Sequence, residues 1–97
     1  MQIKIHQINF DRDKDAVAFE SFDRLPKGFD ISIYDEVWSG AVAANDLEDV
    51  YRIFNVDKPE DFTGHSLSVS DLVEVIESDE VKNGIYFCDS IGFRKVG

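Results

Sequence analysis

Side chains that could do chemistry are densest at residues 64–71, which read Gly-His-Ser-Leu-Ser-Val-Ser-Asp. The stretch holds one imidazole, three hydroxyls and one carboxylate, on His65, Ser66, Ser68, Ser70 and Asp71. These are the group types of a catalytic triad, in which a base and an orienting acid activate a nucleophile. Serine and aspartate side chains also bind nearby backbone groups and shape turns. We favour this structural role, a hydrogen-bonded entry into a strand, and keep catalysis as the alternative.

Cys88 is the only cysteine, so the chain cannot form an internal disulfide. A thiol nucleophile needs a nearby imidazole or cation that lowers its pKa, and the candidate partner here is His65. Cys88 lies in an apolar stretch, where a cysteine is more often a small buried hydrophobic residue. The enzymatic alternative therefore combines residues 64–71 with Cys88 and Asp89, whereas the preferred interpretation assigns no catalytic residue.

Three aspartates at alternate positions, Asp11, Asp13 and Asp15, have the opening spacing of an EF-hand calcium loop. The pattern then fails, because Ala16 stands where the loop needs glycine and Phe22 where it needs a bidentate glutamate. The chain also lacks the tight cysteine and histidine spacing of a zinc site. We therefore predict a solvated hairpin turn at this position, and neither a metal nor a cofactor.

The elements that must position these side chains follow from periodicity. Strands are predicted at residues 2–9, 17–22, 31–39, 72–76 and 85–89, with an additional short strand at 93–96. Residues 17–22 would be the return arm of a hairpin, and Gly40 would end the third strand. These segments alternate or are rich in β-forming residues, so the sheet should be mostly antiparallel and curled.

One helix is predicted at residues 45–54. Asn45 can cap its start, and Glu48 lies three residues on, where its carboxylate can reach back to the cap amide. Apolar side chains recur at helical spacing on one face, at Leu47, Val50, Tyr51 and Phe54. The predicted fold class is α+β, with five to six strands and one main helix in the order β-β-β-α-β-β, in a single domain over residues 1–97.

Composition restricts the classes of partner. The chain has 97 residues and a formal net charge of −10. Such a charge disfavours direct binding to nucleic acid phosphates and to anionic membranes, and no signal peptide or apolar span is evident. The charge suits either simple solubility or a fast encounter with a basic protein surface. We expect a cytoplasmic protein whose partner is another protein.

The residues around the polar stretch resemble a known family. Residues 64–73 read Gly-His-Ser-Leu-Ser-Val-Ser-Asp-Leu-Val, and residues 86–93 read Tyr-Phe-Cys-Asp-Ser-Ile-Gly-Phe. This two-part pattern is similar to the YodL-like domain of Firmicutes and their mobile elements. Upstream, residues 3–8 and the Leu-Glu-Asp-Val-Tyr of residues 47–51 resemble the family's first strand and helix. The motif positions are Gly64, His65, Ser66, Leu67, Ser68, Ser70, Asp71, Asp89, Ser90, Gly92 and Phe93.

The resemblance implies a role in the conflict between mobile elements and their hosts, because such domains are found beside antirestriction-type modules. It implies no reaction and no catalytic residue. Our leading hypothesis is a non-catalytic protein-interaction module, in its sharper form an acidic phosphate mimic that inhibits a DNA-binding enzyme. A scaffold that acts by oligomerisation is a further alternative. The candidate contacts are the acidic residues Asp11, Asp13, Asp15, Asp46, Glu48, Asp49, Glu74, Glu77, Asp79 and Glu80.

Overall fold

The computed structural model describes all 97 residues. It contains one α-helix and five strands, together with two short 3-10 helices at Phe22–Arg24 and Ile31–Ile33. The main elements are β1 (Gln2–Ile8), β2 (Tyr34–Ala41), α1 (Leu47–Val56), β3 (Leu72–Glu77), β4 (Gly84–Cys88) and β5 (Phe93–Lys95). The predicted α+β class, one helix on a curled antiparallel sheet, is confirmed, and β5 confirms the additional short strand. None of the helices combines the length and the apolarity that a bilayer crossing requires.

All strand pairs of the sheet are antiparallel, and the strand order is β2-β1-β3-β4-β5. The first strand therefore lies inside the sheet, between β2 and β3. The register of β1 against β2 passes from Ile5 opposite Trp38 to His6 opposite Glu36. Val37 is thus the extra residue of a bulge, which locally bends the edge strand β2.

The predicted element order was wrong in one place, because residues 17–22 do not form a strand. The Asp13 carboxylate accepts hydrogen bonds from the backbone N–H groups of Val17 and Ala18, at 2.8 and 2.9 Å. Ala16 and Phe19 also have positive φ values of 52° and 69°, which an extended strand does not contain. The predicted hairpin is therefore a folded connection over residues 9–33, called loop 9–33 below, and the observed order is β-β-α-β-β-β.

Two further boundaries differ from the prediction. Residues 31–33 form a 3-10 turn, because the Asp30 side chain caps the backbone N–H of Ser32 at 3.0 Å, and β2 continues past Gly40 to Ala41. Helix α1 is capped by Asp46, whose carboxylate accepts the backbone N–H of Asp49 at 2.8 Å.

The reciprocal bond of the helix cap also differs from the prediction. It comes from Asp49, which accepts the backbone N–H of Asn45 at 3.0 Å. The capping pair predicted as Asn45 and Glu48 is therefore displaced by one residue along the chain. Glu48 remains in the first turn of the helix, where its charge still favours the helix dipole.

The hydrophobic core lies between α1 and one face of the sheet. Its fully buried members are Ile3, Ile5, Val50, Phe54, Leu67, Val73 and Val75. The opposite face also buries apolar side chains, since Leu72 and its partner Phe87 alternate with the core positions of their strands. Loop 9–33 covers that second face, and the Phe22 ring packs edge-on against Phe87 with centroids 5.4 Å apart. The sheet is consequently covered on both faces, by a helix on one and by a loop on the other.

Candidate functional site

Asp71 is the centre of the polar stretch, and it is buried, with 1% of its surface exposed. Its Oδ2 atom accepts hydrogen bonds from the backbone N–H of Ser68 at 2.8 Å and from Gln7 Nε2 at 3.1 Å. Its main chain closes the turn, because Asp71 N–H donates to the Ser68 carbonyl at 3.0 Å. The Asp71 carbonyl then accepts the N–H of Cys88 at 2.8 Å, which joins the turn to the end of β4.

The charge state of Asp71 reflects its burial. Burial raises the pKa of this carboxyl to about 6, although the hydrogen bonds from Ser68 and Gln7 and the charge of His65 oppose the rise. His65 Nδ1 lies 3.8 Å from Asp71 Oδ2, beyond hydrogen-bond distance. The same nitrogen lies 2.8 Å from the Ser66 carbonyl, to which it can donate. His65 is therefore oriented by backbone, and no serine hydroxyl is hydrogen-bonded to it.

Ser70 attaches loop 9–33 to the sheet. Its Oγ accepts the backbone N–H of Phe19 at 2.9 Å, and its carbonyl accepts the Tyr34 hydroxyl at 2.6 Å. Burial raises the pKa of that hydroxyl, and the charges of Asp71 and Asp13 raise it further, so Tyr34 remains a donor. Ser70 itself has a φ of 82°, and its N–H donates to the Cys88 carbonyl at 2.8 Å. The strained residue is thus held from several sides.

Asp89 supplies a second attachment of the same loop. Its Oδ1 accepts the backbone N–H of Phe22 at 3.2 Å and that of Ser90 at 2.9 Å. Its own N–H donates to the Gly92 carbonyl at 2.9 Å, which closes the turn between β4 and β5. Gly92 has a φ of 68°, the left-handed region that glycine adopts most readily. Phe93, at the start of β5, packs against the hydrophobic core.

The remaining residues of the stretch also serve the fold. Ser68 Oγ donates to the Ser66 carbonyl at 2.8 Å, and Leu67 is 1% exposed within the core. The His65 ring packs beside a pair of exposed phenylalanines, with centroids 6.5 Å from Phe10 and 5.6 Å from Phe19. The structure therefore uses the carboxylates of Asp71 and Asp89 and the hydroxyls of Ser68 and Ser70 as hydrogen-bond partners of backbone groups.

Cys88 is a buried free thiol, 3% exposed. Burial raises its pKa to about 12, and the negative charges of Asp71, Glu48 and Asp89 add to the rise. An activated cysteine has the opposite environment, with a lowered pKa beside a cation. The position of Cys88 agrees with the prediction of a small buried residue, and the raised pKa disfavours the thiolate that a nucleophile requires.

Gly64 begins the turn at a place where no side chain fits. A Cβ atom at this position would stand about 3.0 Å from the Phe62 ring and would overlap Gln7 Oε1. We expect Gly64→Ala to lower the free energy of unfolding by about 1–3 kcal/mol, because Gln7 must move and loosen its bond to Asp71. Urea denaturation measures this loss.

A double-mutant cycle with Gln7→Ala is the control for Gly64→Ala. The alanine at position 7 removes the colliding amide, so the cost of Gly64→Ala should be smaller in that background. Equal costs in both backgrounds would show that the contact with Gln7 does not explain the requirement for glycine.

Some of the acidic candidates form hydrogen bonds or ion pairs within the chain, and the others have no partner in it. Asp13, Asp46 and Asp49 accept backbone N–H groups, Asp15 lies 3.5 Å from Lys27 Nζ, and Glu74 lies 3.0 Å from His6 Nε2. The free and exposed carboxylates are those of Asp11, Glu48, Glu77, Asp79 and Glu80. These carboxylates do not form one patch. Glu77 ends β3, and Asp79 and Glu80 follow it. Glu48 lies near Cys88, at the opposite end of β3, where Leu72 pairs with Phe87.

Two concavities and no metal centre are present. No group of three or more His, Cys, Asp or Glu side chains converges on a position that could hold a metal ion. One cavity of about 250 Å³ lies within loop 9–33 and is lined by charged residues of both signs, including Arg12, Asp15 and Lys27. The other, of about 190 Å³, lies between α1 and the turn from β4 to β5. Both are smaller than the ~300–1,000 Å³ typical of sites for drug-sized ligands.

Sequence reasoning missed Gln7 and Tyr34. Gln7 is 4% exposed and donates through Nε2 to both Asp71 and the His65 carbonyl, the latter at 2.8 Å. A signal for it exists in the sequence, because Ile3, Ile5 and Gln7 share one face of a half-buried strand. No local signal identifies Tyr34, since its partner Ser70 is remote in sequence.

The comparisons with known proteins agree with the resemblance of the motif. A family model described as YodL-like domain matches residues 2–97. No curated protein and no solved structure matches the chain.

Proposed function

Because the chain belongs to the YodL-like domain family, we propose that it is a non-catalytic protein-interaction module that meets a basic partner through its free carboxylates. The observation that carries the proposal is that the motif side chains and the exposed carboxylates differ in their hydrogen-bond partners. Ser70, Asp71 and Asp89 are engaged with backbone of this chain, whereas exposed carboxylates have no partner within it. A net charge of −10 supports the same interpretation.

The sharper form of the proposal is a phosphate mimic that occupies the basic groove of a DNA-binding enzyme, as an antirestriction factor of a mobile element would. Carboxylates compete with phosphates for Arg and Lys because both are oxygen anions that accept charge-assisted hydrogen bonds. This form predicts that duplex DNA and the chain exclude each other from the same enzyme.

The enzymatic alternative, with residues 64–71, Cys88 and Asp89, requires a nucleophile in contact with a base. No specific contact favours it. His65 is turned towards the Ser66 carbonyl, the Ser70 hydroxyl accepts from Phe19, and the pKa of Cys88 is raised. We therefore retain the interaction module as the single proposed function.

Charge reversal of the free carboxylates tests the proposal. Three variants are compared, Asp11→Lys, Glu48→Lys and the double change Asp79→Lys with Glu80→Lys, because these side chains cap no helix or turn. After a partner is captured from host lysate at low salt, at least one variant should bind it about tenfold more weakly. High salt should weaken binding of the unmodified chain as well.

The control is Glu60→Lys, which makes the same change of charge at an exposed site outside the candidates. Unchanged affinity of all three variants would refute the proposal. For the sharper form, the captured protein should be a DNA-binding enzyme and should release the chain when duplex DNA is added; capture that DNA does not disturb would leave the interaction module but remove the phosphate mimic.

A further inference from the structure

The cavity between α1 and the turn from β4 to β5, called the α1–β4 pocket below, has a lining that is both anionic and aromatic. It is lined by Glu48, Tyr51, Val69, Cys88, Asp89 and Phe93, together with two small residues of the turn. Its volume of about 190 Å³ suits one long side chain better than a whole metabolite. The family motif supplies much of this lining, through its second part at residues 88–93.

No cation of the chain lines this pocket, and Arg52, one helical turn beyond Glu48, lies 3.9 Å from Asp49. The lining contains no Lys or Arg, and neither Glu48 nor Asp89 takes part in an ion pair of the structure. Arg94, the neighbouring basic residue on β5, is instead engaged with the Phe22 ring, 4.3 Å from its centroid, and with Asp23. Glu48 therefore has no partner within the chain, and Asp89 accepts backbone N–H groups through Oδ1 alone, so neither carboxylate at this concavity has a cationic partner.

The thiol of Cys88 lies close to the same carboxylates. Cys88 lines the pocket, is 3% exposed and forms no disulfide. Burial raises the pKa of its thiol, and the charges of Asp71, Glu48 and Asp89 add to the rise, as expected for a group that lies close to these carboxylates. A cationic group placed in the pocket would be attracted by these charges, whereas an anion would be repelled.

The aromatic rings of Tyr51 and Phe93 favour a guanidinium over an ammonium group. Tyr51 is 41% exposed and Phe93 is half-buried, so both rings are accessible from the pocket. A guanidinium stacks on aromatic faces, is weakly hydrated and binds a carboxylate in a planar geometry, whereas an ammonium is a compact and strongly hydrated charge. Arginine therefore matches the combination of rings and carboxylates better than lysine does.

We propose that the α1–β4 pocket binds the side chain of an arginine of the partner protein, with Glu48 and Asp89 facing the guanidinium and Tyr51 stacking on it. The inference rests on the proposed function, because it names the chemistry of the basic partner at this end of the sheet. It also gives the second part of the motif a role at the surface, in addition to the attachment of loop 9–33 by Asp89.

Titration with short peptides tests the pocket without the partner. The probes are the acetylated and amidated tripeptides Gly-Arg-Gly, Gly-Lys-Gly and Gly-citrulline-Gly, and the readout is the amide chemical shift in nitrogen-15 NMR spectra. The arginine peptide should shift the amides of Val69, Ser90 and Gly92, with a dissociation constant on the order of millimolar. The citrulline peptide has the same shape without the charge and should leave these amides unchanged.

Variants at the mouth of the pocket locate the binding site. Glu48→Gln and Tyr51→Ala should each weaken binding of the arginine peptide about two- to fivefold, since each removes one exposed charge pair or cation–π contact. Glu60→Gln removes the same charge elsewhere and should bind as the unmodified chain does. Both pocket residues are exposed, so an unchanged spectrum outside the pocket verifies that the variants remain folded.

Equal shifts from the arginine and citrulline peptides would overturn the inference, as would shifts that map outside the pocket. Equal shifts from the lysine and arginine peptides would overturn the selection of a guanidinium. The outcome is independent of the charge-reversal experiment. A silent pocket together with weaker partner binding by the Asp79→Lys and Glu80→Lys variant would place the interface at the other end of β3, whereas a responsive pocket without a captured partner would refute only the proposed function.

Discussion

Phe22→Ala is expected to lower the melting temperature by roughly 10–20 °C, the largest effect of any single change in loop 9–33. The Phe22 ring packs edge-on against the buried Phe87, and the Arg94 guanidinium lies 4.3 Å from its centroid. Its loss uncovers the second apolar face of the sheet, where Leu72 and Phe87 are both fully buried. The expected destabilisation is about 2–3 kcal/mol, at the lower end of the range for a phenylalanine because Phe22 is only half-buried.

Phe19→Ala is the matched control, because it removes the same side chain from the same loop. Phe19 is 54% exposed, and its ring contacts Phe10 and His65 at the surface. Thermal unfolding followed by circular dichroism should show a change of only a few degrees for this variant. Equal decreases in melting temperature for the two variants would contradict the prediction. They would mean that the Phe22–Phe87 contact contributes no more to stability than the exposed Phe19 ring does.

Asp71 is expected to stabilise the fold less as the pH rises, whereas an ordinary ion-paired carboxylate stabilises a fold more. The variant Asp71→Asn should remove this dependence on pH. Burial raises the folded pKa of Asp71 to about 6, above the ordinary value of 3.8 for an aspartate. The native state therefore binds more protons than the unfolded state between these values, and the contribution of Asp71 to stability falls as the pH rises through 6. Between pH 5.0 and pH 7.5 the free energy of unfolding should lose about 1.4 kcal/mol through this group alone.

Urea denaturation of the two proteins at both pH values isolates this contribution. Groups remote from Asp71 titrate equally in both proteins and cancel in the difference, so the advantage of the unmodified chain over Asp71→Asn should be larger at pH 5.0 than at pH 7.5. The neighbouring charge whose interaction the variant also removes is that of His65, 3.8 Å away. Asp35→Asn is the control, because hydrogen bonds from Arg12 and Asn9 lower the pKa of that exposed carboxyl, so the effect of this variant should not vary between pH 5.0 and pH 7.5. A difference between the unmodified chain and Asp71→Asn that does not vary with pH would show that Asp71 keeps an ordinary pKa in the fold.

The fold class was predictable because local periodicity reports burial. Alternation in β1 and the helical spacing of Leu47, Val50 and Phe54 both reflect which side chains must leave water, and the structure buries Val50 and Phe54 completely. The second strand was predicted wrongly because residues 17–22 contain β-forming residues, whereas the Asp13 cap that folds them acts through the backbone. The cap of α1 was displaced by one residue because Asn45 and Asp46 are both good capping residues.

Chemistry was harder to predict than fold, and the motif illustrates why. Residue types alone could not decide between a catalytic and a structural use of Ser70, Asp71 and Asp89, since hydroxyls and carboxylates serve both. The decision depended on where each oxygen points, and those directions are set by contacts with Phe19, Phe22 and Gln7. Such contacts join remote parts of the chain and leave no local pattern.

The α+β class, the single helix, the excess of negative charge and the family were evident from the amino-acid sequence, because each depends on composition, local periodicity or an extended motif. The folded arrangement was needed to show that loop 9–33 covers the second face of the sheet, that Ser70 and Asp89 bind the backbone of this loop, and that Glu48 joins Tyr51 and Asp89 around one pocket. The physical reason is that hydrogen bonds and potentials depend on distances in space, and chain folding alone brings residues of distant segments within those distances.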